Sequence, residues 1–366
     1  MMNKEAEIVN EGGEEMKKYN IAIIPGDGIG KEVVPAALNV LHTVAEVHGG
    51  IQFETKEFPW SCDYYLEHGK MMDDDGLEIL RNYHAIFLGA VGNPAIVPDH
   101  VSLWGLLIKI RREFEQSINI RPAKLFSGLP SPLANPKDFD LMVVRENSEG
   151  EYSEAGGRIH KGEDEVAIQN AVFTKKGTER AMRYAFDLAK TRKGHVTSAT
   201  KSNGIVHSMP FWDEVFNEVK NDYPDIKTSV NHIDALAAFF ISKPQTFDVI
   251  VASNLFGDIL TDIGGAIMGS IGIAPAGNIN TNGKYPSMFE PVHGSAPDIY
   301  GKGIANPIGQ IWTAKMMLDH FGEVEMGERL LQVVEEVTAA GIKTPDIGGN
   351  ATTVEVAEEI CKRLKQ

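Results

Sequence analysis

Short apolar segments alternate with longer amphipathic segments along this chain of 366 residues, and this alternation restricts its fold more than any other feature. The apolar segments predict strands at 20–25, 84–91, 140–147, 195–200, 228–234 and 247–254. Apolar residues at helical spacing predict helices at 30–48, 75–82, 175–192, 209–221, 255–270, 307–321 and 326–340. Because strands and helices alternate, we expect an α/β fold whose core sheet is largely parallel.

Polar side chains stand where several of these predicted strands end. They are Arg145, Lys201, Asp234 and Asn254. Ligands of open α/β folds bind beyond the carboxyl ends of the strands. We therefore expect one cleft to gather these groups.

The length and composition of the chain argue against several classes of protein. A length of 366 residues suggests two domains, and the segment 122–139, rich in proline and serine, could connect them. The formal net charge of −16 argues against a nucleic-acid partner. Cys62 and Cys361 form neither a disulfide framework nor a zinc motif, which favours a reducing compartment.

The N-terminal segment 1–20 is polar, and we expect a frayed tail there rather than a signal peptide. The chain has no uninterrupted apolar run of about 18 residues, so no membrane span is predicted. We therefore expect a cytoplasmic protein that does not bind membranes.

The turn GDGIG at 26–30 looks like a dinucleotide fingerprint, but its glycine spacing does not fit. In the fingerprint G-x-G-x-x-G the third glycine would come one residue after Gly30. A phosphate loop does not fit either, because Glu32 follows Lys31 where a serine or threonine is needed. We expect a tight corner between the first strand and its helix.

Two carboxylates, Asp258 and Asp262, stand four residues apart in a predicted helix and therefore share one face. Like charges at this spacing repel each other unless something binds them, and Mg²⁺ or Mn²⁺ would do so through oxygen ligands. The alternative is a solvated helix face.

Arginines concentrate in one part of this acidic chain, at Arg111, Arg112, Arg121 and Arg145. The guanidinium fork matches a carboxylate with two hydrogen bonds, so several arginines together suit a small polycarboxylate. The alternative is surface pairing with Glu113, Glu115 and Glu146.

Lys201 and Tyr152 are the acid–base candidates. A lysine near arginines and a metal would have a lowered pKa and could accept a proton, and a tyrosine beside a cation could donate one. Either residue alone could instead be structural.

The segment 289–307, FEPVHGSAPDIYGKGIANP, is long, irregular and rich in glycine and proline. Loops of this length in compact domains are usually functional, and this one could wrap a nucleotide. Asp298 could accept hydrogen bonds from ribose hydroxyls and would repel a 2′-phosphate.

Together these motifs resemble the isocitrate/3-isopropylmalate dehydrogenase family of β-decarboxylating dehydrogenases. The resemblance runs from about residue 20 to the C-terminus. It rests on IPGDGIGKEV, RREFEQSINIRP, VVRENSEGEY, TKSN, SNLFGDILTDIGG and FEPVHGSAPDIYGKGIANP, in that order. It implies two domains with a large mixed sheet that is not a Rossmann fold. One domain would comprise 1–117 and 270–366; the other, 118–269, would form a homodimer with an arm near 152–172.

The resemblance also implies a role for each candidate residue. Lys201 and Tyr152 would be catalytic. The substrate carboxylates would bind Arg111, Arg121 and Arg145. The divalent metal would bind Asp258, Asp262 and Asp234, with Asp234 and Lys201 reaching in from the partner subunit. NAD would bind Glu290, His293, Gly294, Ser295, Ala296, Asp298 and Asn306. K⁺ is an additional expected cation.

Within the family, WSCDYYLEHGKMM and VPDHVSLWGLLIKIRREF resemble the branch that acts on tartrate and D-malate. Trp104 stands where 3-isopropylmalate enzymes have an acidic residue, which implies a smaller pocket. The resemblance therefore implies NAD-dependent oxidative decarboxylation of D-malate to pyruvate, with activity on tartrate. The alternatives are a 3-isopropylmalate dehydrogenase and a non-catalytic regulatory subunit.

Overall fold

The computed structural model describes residues 6–11 and 14–366. The strands in this part of the chain are β1 (Glu7–Glu11), β2 (Glu14–Gly26), β3 (Ile51–Glu57), β4 (Ala85–Ala90), β5 (Ile118–Lys124), β6 (Asp140–Glu146), β7 (Gly156–Ile159), β8 (Val166–Gln169), β9 (His195–Thr200), β10 (Lys227–His232), β11 (Val249–Ala252), β12 (Pro275–Ile279) and β13 (Ser287–Pro291). The α-helices are α1 (Gly30–His48), α2 (Cys62–His68), α3 (Gly76–Leu80), α4 (Asp99–Ser102), α5 (Ile108–Glu113), α6 (Lys175–Lys190), α7 (Ser208–Val219), α8 (Ile233–Ser242), α9 (Asn254–Met268), α10 (Ile308–Phe321), α11 (Val324–Ala339) and α12 (Thr353–Leu364). A π-helical turn, Leu103–Leu107, joins α4 to α5.

The chain divides into two compact units. Unit 1 comprises the described part of Met1–Gln116 together with Leu125–Pro132 and Met268–Gln366. Unit 2 comprises Ser117–Lys124 and Leu133–Ile267. Both ends of the chain therefore contribute to unit 1, and most of its middle forms unit 2.

Unit 1 has a mixed sheet in which β3, β2, β4, β13 and β12 are neighbours in that order. The pairs β2–β3, β2–β4 and β4–β13 are parallel, whereas β12–β13 and the added pair β1–β2 are antiparallel. Trp60, Ile86 and Met288 are fully buried in one apolar cluster of this unit. Removal of such side chains from water is the main stabilising contribution to a core of this kind.

Unit 2 has strands in the order β5, β6, β11, β9, β10. Only β5–β6 is antiparallel among these pairs, and the rest are parallel. Helix α6 packs against β11 and α7, with Phe186, Trp212 and Phe216 buried. Strands β7 and β8 form a separate antiparallel hairpin whose residues are all exposed.

Three sequence predictions differ from the structure. Residues 7–11 and 14–19 form β1 and the start of β2, so the frayed tail is wrong there, whereas residues 1–5 and 12–13 lie outside the described part. Backbone pairing with β1 and β3 stabilises this charged stretch, which lacks an apolar strand pattern. Residues 122–124 belong to β5 rather than to the predicted loop. Asp234 lies in the first turn of α8, not in a strand.

Cys62 is a buried free thiol and Cys361 is a partly exposed one. Among the described helices, none combines the length and the apolar character that a bilayer crossing requires.

Candidate functional site

Four predicted site residues meet in unit 2, in what we call the acid–arginine cluster: Arg121, Arg145, Tyr152 and Asp258. Arg145 Nη1 donates a hydrogen bond to Asp258 Oδ1, and Arg121 Nη2 lies 3.4 Å from the same oxygen. The Tyr152 hydroxyl donates to Asp258 Oδ2 at 3.1 Å. The Tyr152 ring lies 5.5 Å from Arg145 Cζ, within the range of a cation–π contact. One carboxylate thus faces two guanidinium groups, and a second carboxylate, Asp262, lies one turn away on the same helix.

The local fold explains why these side chains converge. Strand β11 runs parallel to β6 with Ala252 opposite Arg145, and α9 begins two residues later at Asn254. One helical turn then brings Asp258 beside the guanidinium of Arg145. Gly257 makes the approach possible, because a Cβ atom there would lie 2.7 Å from Arg145 Cβ.

Neutral side chains hold the two arginines; Asn254 among them was expected in the cleft, whereas Asn119 and Thr261 were not predicted. Arg145 Nε and Nη2 donate to Asn254 Oδ1 at 3.0 and 2.6 Å. Arg121 Nε donates to Asn119 Oδ1 at 2.8 Å, and its Nη1 donates to Thr261 Oγ1 at 2.7 Å. Arg145 and Arg121 are 3% and 8% exposed, so these bonds fix both guanidinium groups in place. Thr261 precedes Asp262 in the motif, and that adjacency was the available sequence signal.

Asp258 and Asp262 lie one turn apart on α9. Loss of water around its carboxyl raises the pKa of Asp262; the charge of Arg121 opposes this, and Asp258 adds to it. Two carboxylates at this spacing suit a hard divalent cation. Within residues 6–11 and 14–366, no group of three or more His, Cys, Asp or Glu side chains could hold a metal ion. Asp258 and Asp262 therefore fit Mg²⁺ or Mn²⁺ only if a further ligand comes from outside the described part of this chain.

Tyr152 is a 39% exposed tyrosine whose hydroxyl has a raised pKa. Burial raises its pKa, and the nearby charge of Asp258 raises it further, although Arg145 acts in the opposite direction. The phenol is therefore protonated at neutral pH and can act as a proton donor.

Lys201 and Asp234 form a second pair in unit 2. Lys201 follows β9, Asp234 lies in the first turn of α8, and Lys201 Nζ donates to Asp234 Oδ2 at 2.8 Å. This hydrogen bond lowers the pKa of Asp234. The Asp234 side chain is 66% exposed, so the pair faces the surface of the chain.

In unit 1, Arg111 pairs with Glu290, a residue predicted to bind the cofactor. Arg111 Nη2 donates to Glu290 Oε1, and Asn278 Nδ2 donates to the same oxygen at 2.8 Å. Glu290 is 7% exposed and Asn278 is fully buried. Arg111 Nε is buried and has no hydrogen-bond partner among residues 6–11 and 14–366, so the guanidinium keeps a donor for a ligand carboxylate. Asn278 was not predicted, because PAGNI carries no recognisable motif.

The loop 293–306 carries the other predicted cofactor residues. His293 is buried, its Nδ1 lies 3.0 Å from Gly294 O, and burial lowers its pKa. His293 Nε2 is buried and has no hydrogen-bond partner in the part of the chain that the structure describes, so it could bind a polar atom of a nucleotide. Asp298 is exposed.

Asn306 has a structural role in the same loop. Its Nδ2 donates to Asp346 Oδ2 at 3.0 Å, and its Oδ1 accepts from the amide of Ile308 at 3.0 Å. Ser295 Oγ donates to Gly92 O, and Ala296 has a positive φ of 39°. No atom from a neighbouring segment lies within 4 Å of a Cβ built on Gly294, so the loop is open there.

Comparison with known proteins identifies relatives along nearly the whole chain. Residues 20–360 match the family model described as isocitrate/isopropylmalate dehydrogenase. A probable tartrate dehydrogenase/decarboxylase of Bacillus subtilis is 71% identical over 351 residues, covering 96% of this chain and 99% of that protein. The D-malate dehydrogenase (decarboxylating) of Escherichia coli is 56% identical, covering 95% of this chain and 99% of that protein. The crystal structure of isocitrate dehydrogenase from Methylococcus capsulatus has a TM-score of 0.84 at 34% identity, covering 95% of this chain and 100% of that one.

These comparisons confirm the predicted resemblance, including its tartrate and D-malate branch, and the predicted fold class. They also confirm that the chain is an enzyme of the decarboxylating dehydrogenase class. The chain belongs to the isocitrate/isopropylmalate dehydrogenase family.

Proposed function

We propose that this protein oxidises D-malate with NAD⁺ and a divalent metal, releasing pyruvate, CO₂ and NADH, and that it also acts on tartrate. The acid–arginine cluster carries the proposal, because it joins carboxylate-binding cations, a metal-binding carboxylate and a proton donor. The names of the Bacillus subtilis and Escherichia coli relatives support the choice of substrates.

The substrate is a dianion, and arginines suit both of its carboxylates. Arg121 and Arg145 are anchored by neutral side chains, and both pair with Asp258 at the distances given above. Arg111 adds a donor with no protein partner at Nε. Charge-assisted hydrogen bonds of this kind fix orientation as well as affinity.

Asp258 and Asp262 would hold Mg²⁺ or Mn²⁺, with Asp234 of the partner subunit as the further ligand. When bound, the metal supplies Lewis acidity at the substrate's hydroxyl oxygen. The bound nicotinamide cofactor would supply the acceptor for the C2 hydride.

Two side chains of the protein move protons. Lys201 takes the proton of the C2 hydroxyl as the hydride leaves C2. The bond between C3 and the outer carboxylate then breaks, CO₂ leaves, and the electron pair passes toward C3. Tyr152 donates its proton to C3, a role that suits a phenol with a raised pKa.

The NAD site would be lined by residues at the end of β13 and in the loop 293–306. They are Glu290, His293, Gly294, Ser295, Ala296, Asp298 and Asn306. The orphaned Nε2 of His293 supports this assignment. Asp298 would favour NAD⁺ over NADP⁺ by repelling the 2′-phosphate. K⁺ is proposed as an additional cation on the family resemblance.

The assembly is also a proposal. Lys201 and Asp234 would act in the site of the partner subunit of a homodimer, and the exposed pair fits that role. The hairpin of β7 and β8 would be the interlocking arm, because Ile159, Val166 and Ile168 are exposed. The domains would be 1–117 with 270–366, and 118–269. Free cysteines suit the cytoplasm.

Two alternatives remain to be tested. A 3-isopropylmalate dehydrogenase needs room for a larger apolar group, whereas Trp104 is 37% exposed with the Arg112 guanidinium 4.5 Å from its ring centroid. A non-catalytic subunit would be expected to lack one of Tyr152, Lys201, Asp258 or Asp262, and all are present.

A steady-state comparison tests the proposal. The purified protein with Mn²⁺ and NAD⁺ should reduce NAD⁺ and release CO₂ with D-malate and with tartrate. Faster turnover of 3-isopropylmalate than of either acid would overturn the choice of substrate.

A lysine variant tests the catalytic assignment. Lys201→Ala should abolish turnover and leave a dimer in analytical ultracentrifugation. Lys190→Ala is the matched control, because it removes another lysine paired with an aspartate at 2.9 Å. Retained activity in Lys201→Ala would exclude the proposed role.

A further inference from the structure

Within unit 1, the turn 26–30 and the start of α1 contact the loop 293–306 at several points. The amide of Ile29 donates to Ser295 O at 2.8 Å. Glu32 Oε1 accepts a hydrogen bond from the amide of Gly301 at 2.6 Å. Buried apolar contacts join the same two segments through Ile29, Val33 and Ala305, with Ala296 and Ile299 packed against them.

The backbones approach so closely that a side chain is excluded at Gly28. A Cβ atom there would lie 2.0 Å from Ser295 O, and Gly28 has a φ of +52°. The GDGIG turn therefore fits against the loop as a backbone surface. Its glycines serve close packing against another protein segment, which explains why they need not follow the dinucleotide fingerprint.

Two charged side chains take part in this contact. Lys31 Nζ lies 6.0 Å from the ring centroid of Tyr300. Glu32 Oε1 accepts from the Gly301 amide, but Glu32 Oε2 is buried and has no hydrogen-bond partner among the described residues. A buried acceptor without a donor lowers stability, so packing alone does not explain a glutamate here. A function that depends on holding the Gly301 backbone in place would explain why a glutamate stands at this position.

We propose that Glu32 is a positioning residue for NAD⁺, acting through Gly301 to hold the loop 293–306 in its binding conformation. This inference rests on the proposed function, in which that loop binds the cofactor. Gly301 has a φ of +83° and follows Asp298 by three residues. The hydrogen bond from its amide to Glu32 therefore limits the conformational freedom of the segment around Asp298, which would face the ribose. A loop fixed before binding avoids the entropy cost of ordering it with the ligand.

Three variants test the inference. Glu32→Ala removes the acceptor, Glu32→Gln keeps an oxygen for the Gly301 amide, and Glu325→Ala is the matched control. Glu325 is also a first-turn glutamate of a helix, α11, but it is exposed. Steady-state kinetics would vary NAD⁺ at saturating D-malate and then D-malate at saturating NAD⁺.

We expect Glu32→Ala to raise KM for NAD⁺ by about five- to ten-fold, the usual effect of one lost hydrogen bond, with little change in KM for D-malate. Glu32→Gln should restore most of the affinity, and Glu325→Ala should match the wild type. An unchanged KM for NAD⁺, or an equal rise in both KM values, would overturn the inference.

Direct binding separates this inference from the proposed function. NADH dissociation constants measured by calorimetry do not require turnover, so they report on the loop even if D-malate is not the substrate. A five- to ten-fold weaker NADH affinity in Glu32→Ala would support the inference whatever the substrate. This change corresponds to the loss of about one hydrogen bond. Equal affinities in the variants and the wild type, or no NADH binding at all, would contradict it.

Discussion

The loop 293–306 of unit 1 and the acid–arginine cluster of unit 2 are built in different ways. The loop is held largely through backbone groups, such as the amide of Ile29 on Ser295 O and the amide of Gly301 on Glu32. The cluster is held by charged side chains, with Arg121 and Arg145 both directed at Asp258. One region is shaped by packing and the other by charge.

This difference indicates how each region should respond to substitution. A backbone-held loop tolerates a change of one exposed side chain, because the contacts that shape it remain. The acid–arginine cluster does not, because Arg121 and Arg145 are buried and the loss of a charged partner there costs stability. Single substitutions should therefore have large effects in the acid–arginine cluster and small ones in the exposed part of the loop.

Between these two regions, the largest effect is expected for Tyr152→Phe, which removes the proton donor and leaves the ring. Loss of a general acid lowers kcat by about 10² to 10⁴-fold. The ring can still lie against Arg145, so KM for D-malate should change little. Initial rates over a range of D-malate concentrations measure both quantities.

Tyr300→Phe is the control in the other region. Tyr300 is an exposed tyrosine of the loop, 46% accessible, and its variant should keep the wild-type kcat. Equal losses in the two variants would remove the distinction between the regions.

Elements with a strong apolar period could be predicted from the sequence. The helix at 30–48 has the predicted bounds, because its buried residues follow the helical period. The strand at 195–200 also has the predicted bounds, although its buried residues are consecutive rather than alternating. Strands β12 and β13 were missed, since PAGNI and SMFEP contain proline or glycine and every residue is buried. Their neighbours in the sheet decide that they are strands.

The charged residues of the site could be predicted from the sequence, but the identity of the side chains that bind the arginines could not. The spacing of Asp258 and Asp262 indicates a shared helix face, and the structure has it. The amide of Asn254 and the hydroxyl of Thr261 bind arginines 109 and 140 residues away. Such contacts depend on how distant strands are paired, which no local pattern in this single sequence contains.

A smaller effect is expected for Asp262→Asn, which removes one of the proposed metal ligands. The Mn²⁺ concentration needed for half-maximal activity should rise by at least about ten-fold, with a smaller change in kcat at saturating Mn²⁺. Asp225→Asn, an exposed aspartate of the same unit, is the control.

The pH dependence sharpens this prediction. The pKa of Asp262 is raised, so its carboxyl gains a proton at a higher pH than an ordinary aspartate as pH falls. The wild type should therefore need more Mn²⁺ as the pH is lowered through that range, and Asp262→Asn should lose part of this dependence. If Asp262→Asn needed the same Mn²⁺ concentration as the wild type for half-maximal activity, Asp262 would be excluded as a ligand.

The smallest effect is expected in the loop, for Asp298→Asn. Two like charges about 4 Å apart in water repel by about 1 kcal/mol, so removal of this carboxylate should raise kcat/KM for NADP⁺ by about five-fold. Because Asp298 is exposed, its replacement should leave the melting temperature unchanged. Asp298→Glu keeps the charge and should keep the wild-type preference for NAD⁺. If Asp298→Glu gained as much activity with NADP⁺ as Asp298→Asn, the charge at position 298 would not be the basis for selecting NAD⁺ over NADP⁺. The shape of the backbone-held loop would then be the basis of that selection.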